Sequence, residues 1–218
     1  MKRSHIVFVL NLLQDVSVIR PIAYLAGREL DSSIIFLVSA RFLERDALRI
    51  WQRELAQIAA ETGGSIHLFE TAAEGFVVLQ GKRGVVIAAS ESTVSGHSET
   101  HNLFRIAPPS FLKVTLQHGF ECVGFLQNRE QVIAFGRSNT FAADVICGWC
   151  EAHTLTQLVA SQRPKLYVTG PPMLLNAAPR GNADTPVTGG LVCENLHSAR
   201  LQATGDHGKS FMDQFTPY

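Results

Sequence analysis

The sequence predicts an α/β protein with a Rossmann-like parallel sheet, helices on both faces of that sheet, and the start of a second domain. Three observations predict this class. Short continuous apolar runs, typical of strands buried on both faces, alternate at least five times with segments of helical apolar spacing. Polar clusters follow the strands, and the composition changes after residue 175. Such alternation is typical of βαβ units with right-handed crossovers.

The predicted elements alternate through the first 170 residues. Strands are predicted at residues 5–11, 33–39, 65–69, 84–89, 111–116, 142–148 and 165–169. Helices are predicted at residues 15–30, 44–60, 72–80, 102–106 and 154–161. The second helix is expected to bury Leu48, Trp51, Leu55 and Ile58 and to end at Gly63. Residues 119–139 show no regular pattern.

Composition divides the chain into three parts. Residues 1–175 are predicted to form the N-terminal Rossmann-like domain, and residues 176–190 have the Ala, Pro, Gly and Asn content of a linker. Residues 191–218 hold one predicted strand and one helix start, too little to bury a core. We therefore expect them to begin a second domain that continues beyond residue 218.

Charge and cysteine content restrict the partners and the compartment. The formal net charge is zero, so no basic excess is available for phosphate backbones, and no nucleic-acid partner is predicted. No apolar run is long enough to cross a bilayer, and four cysteines are too few for a disulfide framework. The expectation is a soluble cytoplasmic protein with reduced thiols.

Polar residues cluster directly after several predicted strands. These clusters are residues 11–17, 90–101, 117–121 and 149–153. The carboxyl ends of parallel strands meet at one edge of the sheet, where α/β proteins bind their ligands. The sequence therefore predicts a site at this edge.

The segment Gln117-His118-Gly119-Phe120-Glu121 is the most informative of these clusters. His118 and Glu121 have the chemistry of a base and the carboxylate that orients it. Gly119 permits a sharp turn or a close approach to a ligand. A turn whose histidine is hydrogen-bonded to the backbone explains the same residues, and the sequence leaves both interpretations open.

Two other patterns offer alternative chemistry. His97 and His101 share a helix face if the segment is helical, but a third metal ligand at matching spacing is missing, which favours a substrate-binding loop. Cys147 and Cys150 form a CxxC pair, for which burial as small apolar side chains is the favoured interpretation over redox or zinc chemistry. The chain lacks GxGxxG, P-loop and GxSxG motifs. No metal and no cofactor are predicted.

Several short segments together resemble a known family. They are VLNLLQD at residues 9–15, TLQHG at 115–119, ADVICGW at 143–149, KLYVTGP at 165–171 and the new strand-like segment after the linker, at 191–198. In this order they resemble the N-terminal half of GT-B glycosyltransferases of the bacterial surface-polysaccharide type. In that fold two Rossmann-like domains face each other across a cleft.

The resemblance implies transfer of a sugar from a nucleotide-activated donor to a glycan or related acceptor, in polysaccharide biosynthesis. It makes His118, with Glu121 nearby, the candidate catalytic base, and it places His97 and Glu99 on the acceptor side. The further substrate-binding candidates are Asn11, Gln117, Gly119, Glu194, Asn195 and His197. The alternative is a non-catalytic Rossmann-like subunit that pairs with a separate catalytic chain. Peripheral membrane contact and a partner subunit stay open.

Overall fold

Seven parallel strands form the centre of the structure. The computed structural model describes residues 4–176. The strands are β1 (Ser4–Leu10), β2 (Ser32–Ser39), β3 (Ser65–Phe69), β4 (Gly84–Ala88), β5 (Phe111–Leu116), β6 (Val145–Gly148) and β7 (Leu166–Val168). Their spatial order is β3-β2-β1-β4-β5-β6-β7, and every neighbouring pair is parallel. The predicted Rossmann-like α/β fold is confirmed.

Helices connect the strands. They are α1 (Asp15–Glu29), α2 (Ala40–Arg45), α3 (Ile50–Thr62), α4 (Ala72–Leu79), α5 (Ser98–Ile106) and α6 (Arg129–Phe135). Among the described residues, none of the helices combines the length and the apolar character needed to cross a bilayer.

The single helix predicted at residues 44–60 is wrong, because two helices occupy this region. Asp46 lies between them, and its buried carboxylate accepts hydrogen bonds from Ile50 N at 3.0 Å and Gln52 N at 2.8 Å. This satisfies amide groups at the start of α3, which no intrahelical carbonyl can reach. Leu48, predicted to be buried, lies in the connecting turn and is 75% exposed.

Two further differences concern the second half of the chain. The helix predicted at residues 154–161 is wrong: Leu155 and Leu158 are buried in a series of turns, and Gln157 N bonds to Phe125 O at 3.0 Å instead of to its own segment. Conversely, α6 lies within the segment predicted to be irregular. It begins with a capping box between Asn128 and Gln131, which satisfies its first amide groups.

Both faces of the central strands β1 and β2 are buried, which explains their continuous apolar runs. Phe8 of β1 packs in the cluster beneath α1 and α3, whereas its neighbours Val7 and Val9 pack in the cluster on the opposite face with Leu103. Strands β1 and β4 approach so closely that Gly84, at φ 145°, has no room for a Cβ, which would lie 1.9 Å from His5 O. This close pair is central to the site.

The strand order reverses between β1 and β4. From β1 the chain proceeds outward through β2 to β3, and from β4 it proceeds in the opposite direction to β7. The chain therefore leaves β1 and β4 in opposite directions, and the carboxyl edge at such a point is the usual ligand site of parallel sheets. The linker from residue 177 onward and the predicted second domain lie outside the described residues.

Candidate functional site

The loop between β1 and α1 closes on the carboxylate of Asp15. This side chain is fully buried, and its Oδ2 accepts hydrogen bonds from Asn11 N and Leu12 N, both at 2.8 Å. Its Oδ1 accepts from the hydroxyl of Ser90, which follows β4. Burial raises the pKa of Asp15 above its ordinary value, although these bonds and the charge of His118 oppose the rise. Asp15 thus joins the segments that follow β1 and β4.

Asn11 connects the ends of β1 and β2 to the segment before α5. Its Oδ1 accepts from the hydroxyl of Ser39 at 2.8 Å, and its Nδ2 donates to Gly96 O at 2.8 Å. Arg41 Nη1 donates to Gly96 O as well, at 3.0 Å. Asn11 and Arg41 therefore fix the backbone directly before His97. The structure gives Asn11, a predicted substrate-binding residue, a positioning contact.

His118 lies just beyond the end of β5 and is anchored across to β4. Its Nδ1 donates to Ala89 O at 2.7 Å, because a carbonyl oxygen can only accept. The Sγ atom of Cys122 lies 3.6 Å from both ring nitrogens. Burial lowers the pKa of His118, but the Cys122 sulfur, the Asp15 carboxylate and the Ala89 carbonyl outweigh it and raise the pKa to about 9.

His97 faces His118, with the ring centroids 6.0 Å apart and the planes at 76°. It belongs to the 3-10 turn Ser95–His97 and is 8% exposed. Its Nδ1 lies 2.7 Å from the hydroxyl oxygen of Ser92. Burial, then the positive charges of His118, Arg45, Arg41 and His101, lower the pKa of His97 to about 3. The two rings therefore differ in charge at neutral pH.

A third histidine is paired with a buried carboxylate. His101 Nδ1 lies 2.6 Å from Glu91 Oε1, which also accepts from Ala142 N at 2.9 Å. Glu91 is 1% exposed, and its Oε2 has no hydrogen-bond partner within residues 4–176. Among those residues no group of three or more histidine, cysteine or acidic side chains is arranged to hold one metal ion. His101 thus connects α5 to the loop after β4.

Gln117 holds together the loops that follow β5 and β6. Its Nε2 donates to Gly119 O at 2.9 Å, and its Oε1 accepts from Trp149 N at 2.9 Å. Both ends of this buried amide are engaged within the protein. At Gly119 itself, a Cβ would meet only Glu121 O, at 3.8 Å, so the protein leaves space there.

The two predicted acidic residues lie in different places. Glu121 is exposed on the loop after His118, and its carboxylate accepts from Asn128 Nδ2 at 3.1 Å. Glu99 lines an open cleft of about 330 Å3 at the end of β2, together with Arg41, Glu44 and Glu70. Glu194, Asn195 and His197 lie outside the described residues, so their predicted roles stay predictions.

The CxxC pair lacks the features of a reactive dithiol. Burial raises the pKa of Cys147, whereas a nucleophilic cysteine needs a lowered one. The residues after Cys150 form turns and no helix whose N-terminus could stabilise a thiolate. The interpretation of these residues as partly buried apolar side chains agrees with this environment.

Several residues of the site carry no motif and were not predicted individually. They are Ser39, Arg41, Asp15, Ser90, Glu91, Ser92 and Cys122. One signal was available for Asp15, because it lies at the start of the helix after a buried strand in a connecting loop that has no glycine. Ser90, Glu91 and Ser92 follow β4 with only Ala89 between, which places them at the edge.

The fold and the cluster define a class: a Rossmann-like domain with three histidines and a buried aspartate at its topological switch point. The chain matches none of the known protein-family models, and no curated protein is significantly similar to it.

Proposed function

We propose that this chain supplies the acceptor-side domain of a GT-B glycosyltransferase, which moves a sugar from a nucleotide-activated donor to a glycan acceptor in polysaccharide biosynthesis. The proposal rests on the sequence resemblance and on one observation above all. That observation is the anchored imidazole of His118 at the carboxyl edge, beside the switch point between β1 and β4.

The β1–α1 loop argues against the main alternative for a Rossmann-like domain, a dinucleotide-dependent enzyme. In such enzymes the backbone amides of a glycine-rich loop and the helix N-terminus receive the pyrophosphate. Here the carboxylate of Asp15 occupies the amides of Asn11 and Leu12. A second anion at this place would meet a buried carboxylate instead of free N–H groups. The amides of this loop are therefore satisfied within the protein by Asp15.

His118 is the proposed catalytic residue. With Nδ1 bound to Ala89 O, Nε2 is the nitrogen that remains for a substrate. In sugar transfer the acceptor oxygen bonds to the anomeric carbon, and the bond from that carbon to the donor phosphate breaks with its electron pair on the phosphate. With its pKa near 9, the ring is mainly protonated at neutral pH, which favours stabilisation of that leaving phosphate.

The proton of the acceptor hydroxyl needs a separate acceptor. Glu121 lies on the same loop as His118 and is exposed, so its carboxylate is the proposed base. Glu99, in the cleft beside β2, is proposed to contact acceptor hydroxyl groups.

Release of free nucleotide tests the proposal. The natural polypeptide would be incubated with UDP-, GDP-, CMP- and dTDP-sugars, with and without bacterial glycan acceptors. We expect acceptor-dependent release from one donor, and a loss of about 100-fold or more in His118→Ala. The control is His67→Ala, an exposed histidine on β3. Full activity in His118→Ala would remove this residue from the mechanism, and donor binding without turnover would favour the binding-subunit alternative.

A further inference from the structure

We propose that His97 and His118 form a phosphate-binding site in which the Nε2–H group of each ring donates a hydrogen bond to the same phosphate. The inference deepens the proposed function and rests on it for the source of the phosphate, the nucleotide donor. It assigns His97 to the donor phosphate instead of the acceptor.

His118 carries hydrogens on both ring nitrogens at neutral pH, because Ala89 O fixes the one on Nδ1 and the pKa of about 9 keeps the one on Nε2. Nδ1 carries a hydrogen because Ala89 O only accepts. The sulfur of Cys122 is equally distant from both nitrogens, and within the ring plane that position would overlap Cε1. The sulfur therefore lies over the ring face and does not occupy the in-plane direction of Nε2.

The tautomer of His97 follows from Ser92. The Ser92 hydroxyl oxygen already accepts from Val94 N at 3.3 Å, and Ser92 is 1% exposed. If this oxygen also accepted from His97, the buried hydroxyl hydrogen would lack an acceptor within the described residues, which is costly. The hydroxyl therefore donates to Nδ1 of His97. A neutral His97 then carries its hydrogen on Nε2 and acts as a donor.

Only one of the two rings carries a second hydrogen, and the surrounding charges favour His118 as that ring. Two rings whose centroids are 6.0 Å apart are not both charged without cost. The groups that face them are Asp15 from α1, Arg41 and Arg45 from α2, His101 from α5 and Cys122 after β5. The carboxylate acts on His118, whereas the arginines act on His97. The pair therefore holds one positive charge.

Two ring donors with one positive charge select an anion. Neither ring offers a free nitrogen lone pair for the proton of a sugar hydroxyl once both Nδ1 atoms are engaged and both Nε2 atoms carry hydrogen. One phosphate can bridge two donors on rings this close, because each N–H···O distance is about 2.8 Å. The negative charge of Asp15 opposes such binding, and the positive charge of His118 offsets it.

Pyrophosphate and UDP are the probes for the first experiment. In the full chain labelled with 15N-histidine, the ring nitrogens are observed by NMR at pH 7.5 before and after each addition. We expect His118 with hydrogen on both nitrogens and His97 with hydrogen on Nε2 only, and both should shift when pyrophosphate binds. A His97 ring that carries its hydrogen on Nδ1 would overturn the proposal.

Calorimetric titration with the same probes supplies the second measurement. His97→Ala and His118→Ala should each weaken pyrophosphate binding about 10- to 100-fold. His97→Gln, which keeps a donor near the position of Nε2, should restore part of that loss, and His67→Ala should leave binding unchanged. Equal affinity in all variants, or no binding by the unaltered chain, overturns the proposal. Equally weak binding in His97→Gln and His97→Ala also contradicts it.

The site and the proposed function can fail separately. Histidine-dependent pyrophosphate binding without any sugar transfer would keep the phosphate site and reject the transferase. Sugar transfer by a protein whose phosphate affinity does not depend on either histidine would do the reverse. A preference for UDP over pyrophosphate identifies the nucleotide as the source of the phosphate.

Discussion

The charge of His118 should make the stability of this protein decrease in alkaline solution. Its pKa is about 9 in the folded protein, against an ordinary value of 6.5. Because the folded pKa is the higher one, the proton is bound more tightly in the folded state. The stabilisation is complete below pH 6.5 and is lost as the pH rises through 9. His118→Gln removes the titrating group and keeps a side chain of similar length.

The shift sets the size of the effect. Each pKa unit corresponds to about 1.4 kcal/mol, so the full contribution of the bound proton is about 3 kcal/mol. At pH 7 the ordinary histidine of the unfolded chain is already mostly neutral, which leaves about 2.5 kcal/mol. At pH 10 almost nothing remains, because the folded ring has also lost its proton. The side chain is largely buried, so solvent screening reduces this figure little.

Urea denaturation at pH 7 and pH 10 measures this effect in both proteins. Lysine, tyrosine and cysteine residues also titrate in this range, so the useful quantity is the difference between the two proteins in their loss of stability. We expect the unaltered protein to lose about 2.5 kcal/mol more than His118→Gln. The exposed histidine variant His67→Gln should behave like the unaltered protein. Equal losses in all three would refute the assignment of the proton to His118.

Three further predictions concern stability and are checked by urea denaturation at neutral pH. Gly84→Ala should cost more than about 3 kcal/mol, because the Cβ would lie 1.9 Å from His5 O. Gly96→Ala is the control and should change stability by less than about 1 kcal/mol, because a Cβ there would meet no neighbouring atom within 4 Å. Similar losses in both variants would contradict the close approach of β1 and β4. Asp15→Ala should cost about 3–5 kcal/mol by leaving three buried donors unsatisfied. Asp15→Asn should cost less than half of that, since the amide oxygen still accepts from both backbone groups. Equal losses in the two variants, which both remove the charge, would show that the charge dominates. Gln117→Leu should cost about 2–3 kcal/mol, because Trp149 N and Gly119 O would lose the side-chain amide as their hydrogen-bond partner. An unchanged stability would mean that water replaces the amide.

The sequence predicts the sheet well because burial on both faces leaves an unambiguous pattern. Strands β3 and β5 are predicted at their observed bounds, and the other strands differ by a few residues at most. The errors occur where a single hydrogen bond, from a side chain or to a distant segment, outweighs apolar periodicity. Asp46 interrupts a helical pattern by capping α3, and the amide of Gln157 bonds to Phe125 O across the fold. Neither contact leaves a signal in the spacing of apolar residues.

The sequence predicts the location of the site more completely than the contacts within it. Clusters after β1, β4 and β5 do meet at one edge, since parallel strands end there together. The partner of each side chain depends on loop geometry, which spacing does not encode. His118 was predicted beside Glu121, whereas its anchors are Ala89 O and Cys122. The pairing of His97 with His118, and of His101 with Glu91, also joins residues from different loops.

Asp15 explains why the anion site of this domain belongs beside β4 and β5 instead of at the start of α1. In a phosphate-binding Rossmann domain, the amides after β1 stay free until the ligand arrives. Here an internal carboxylate satisfies the amides of Asn11 and Leu12 permanently, and the same carboxylate favours a proton on His118. The buried carboxylate of Asp15 thus occupies the amides that bind phosphate in other Rossmann domains, and it also favours a positive charge on His118. A domain built in this way retains the switch point of its fold, and the proposed anion site uses side chains instead of free backbone amides.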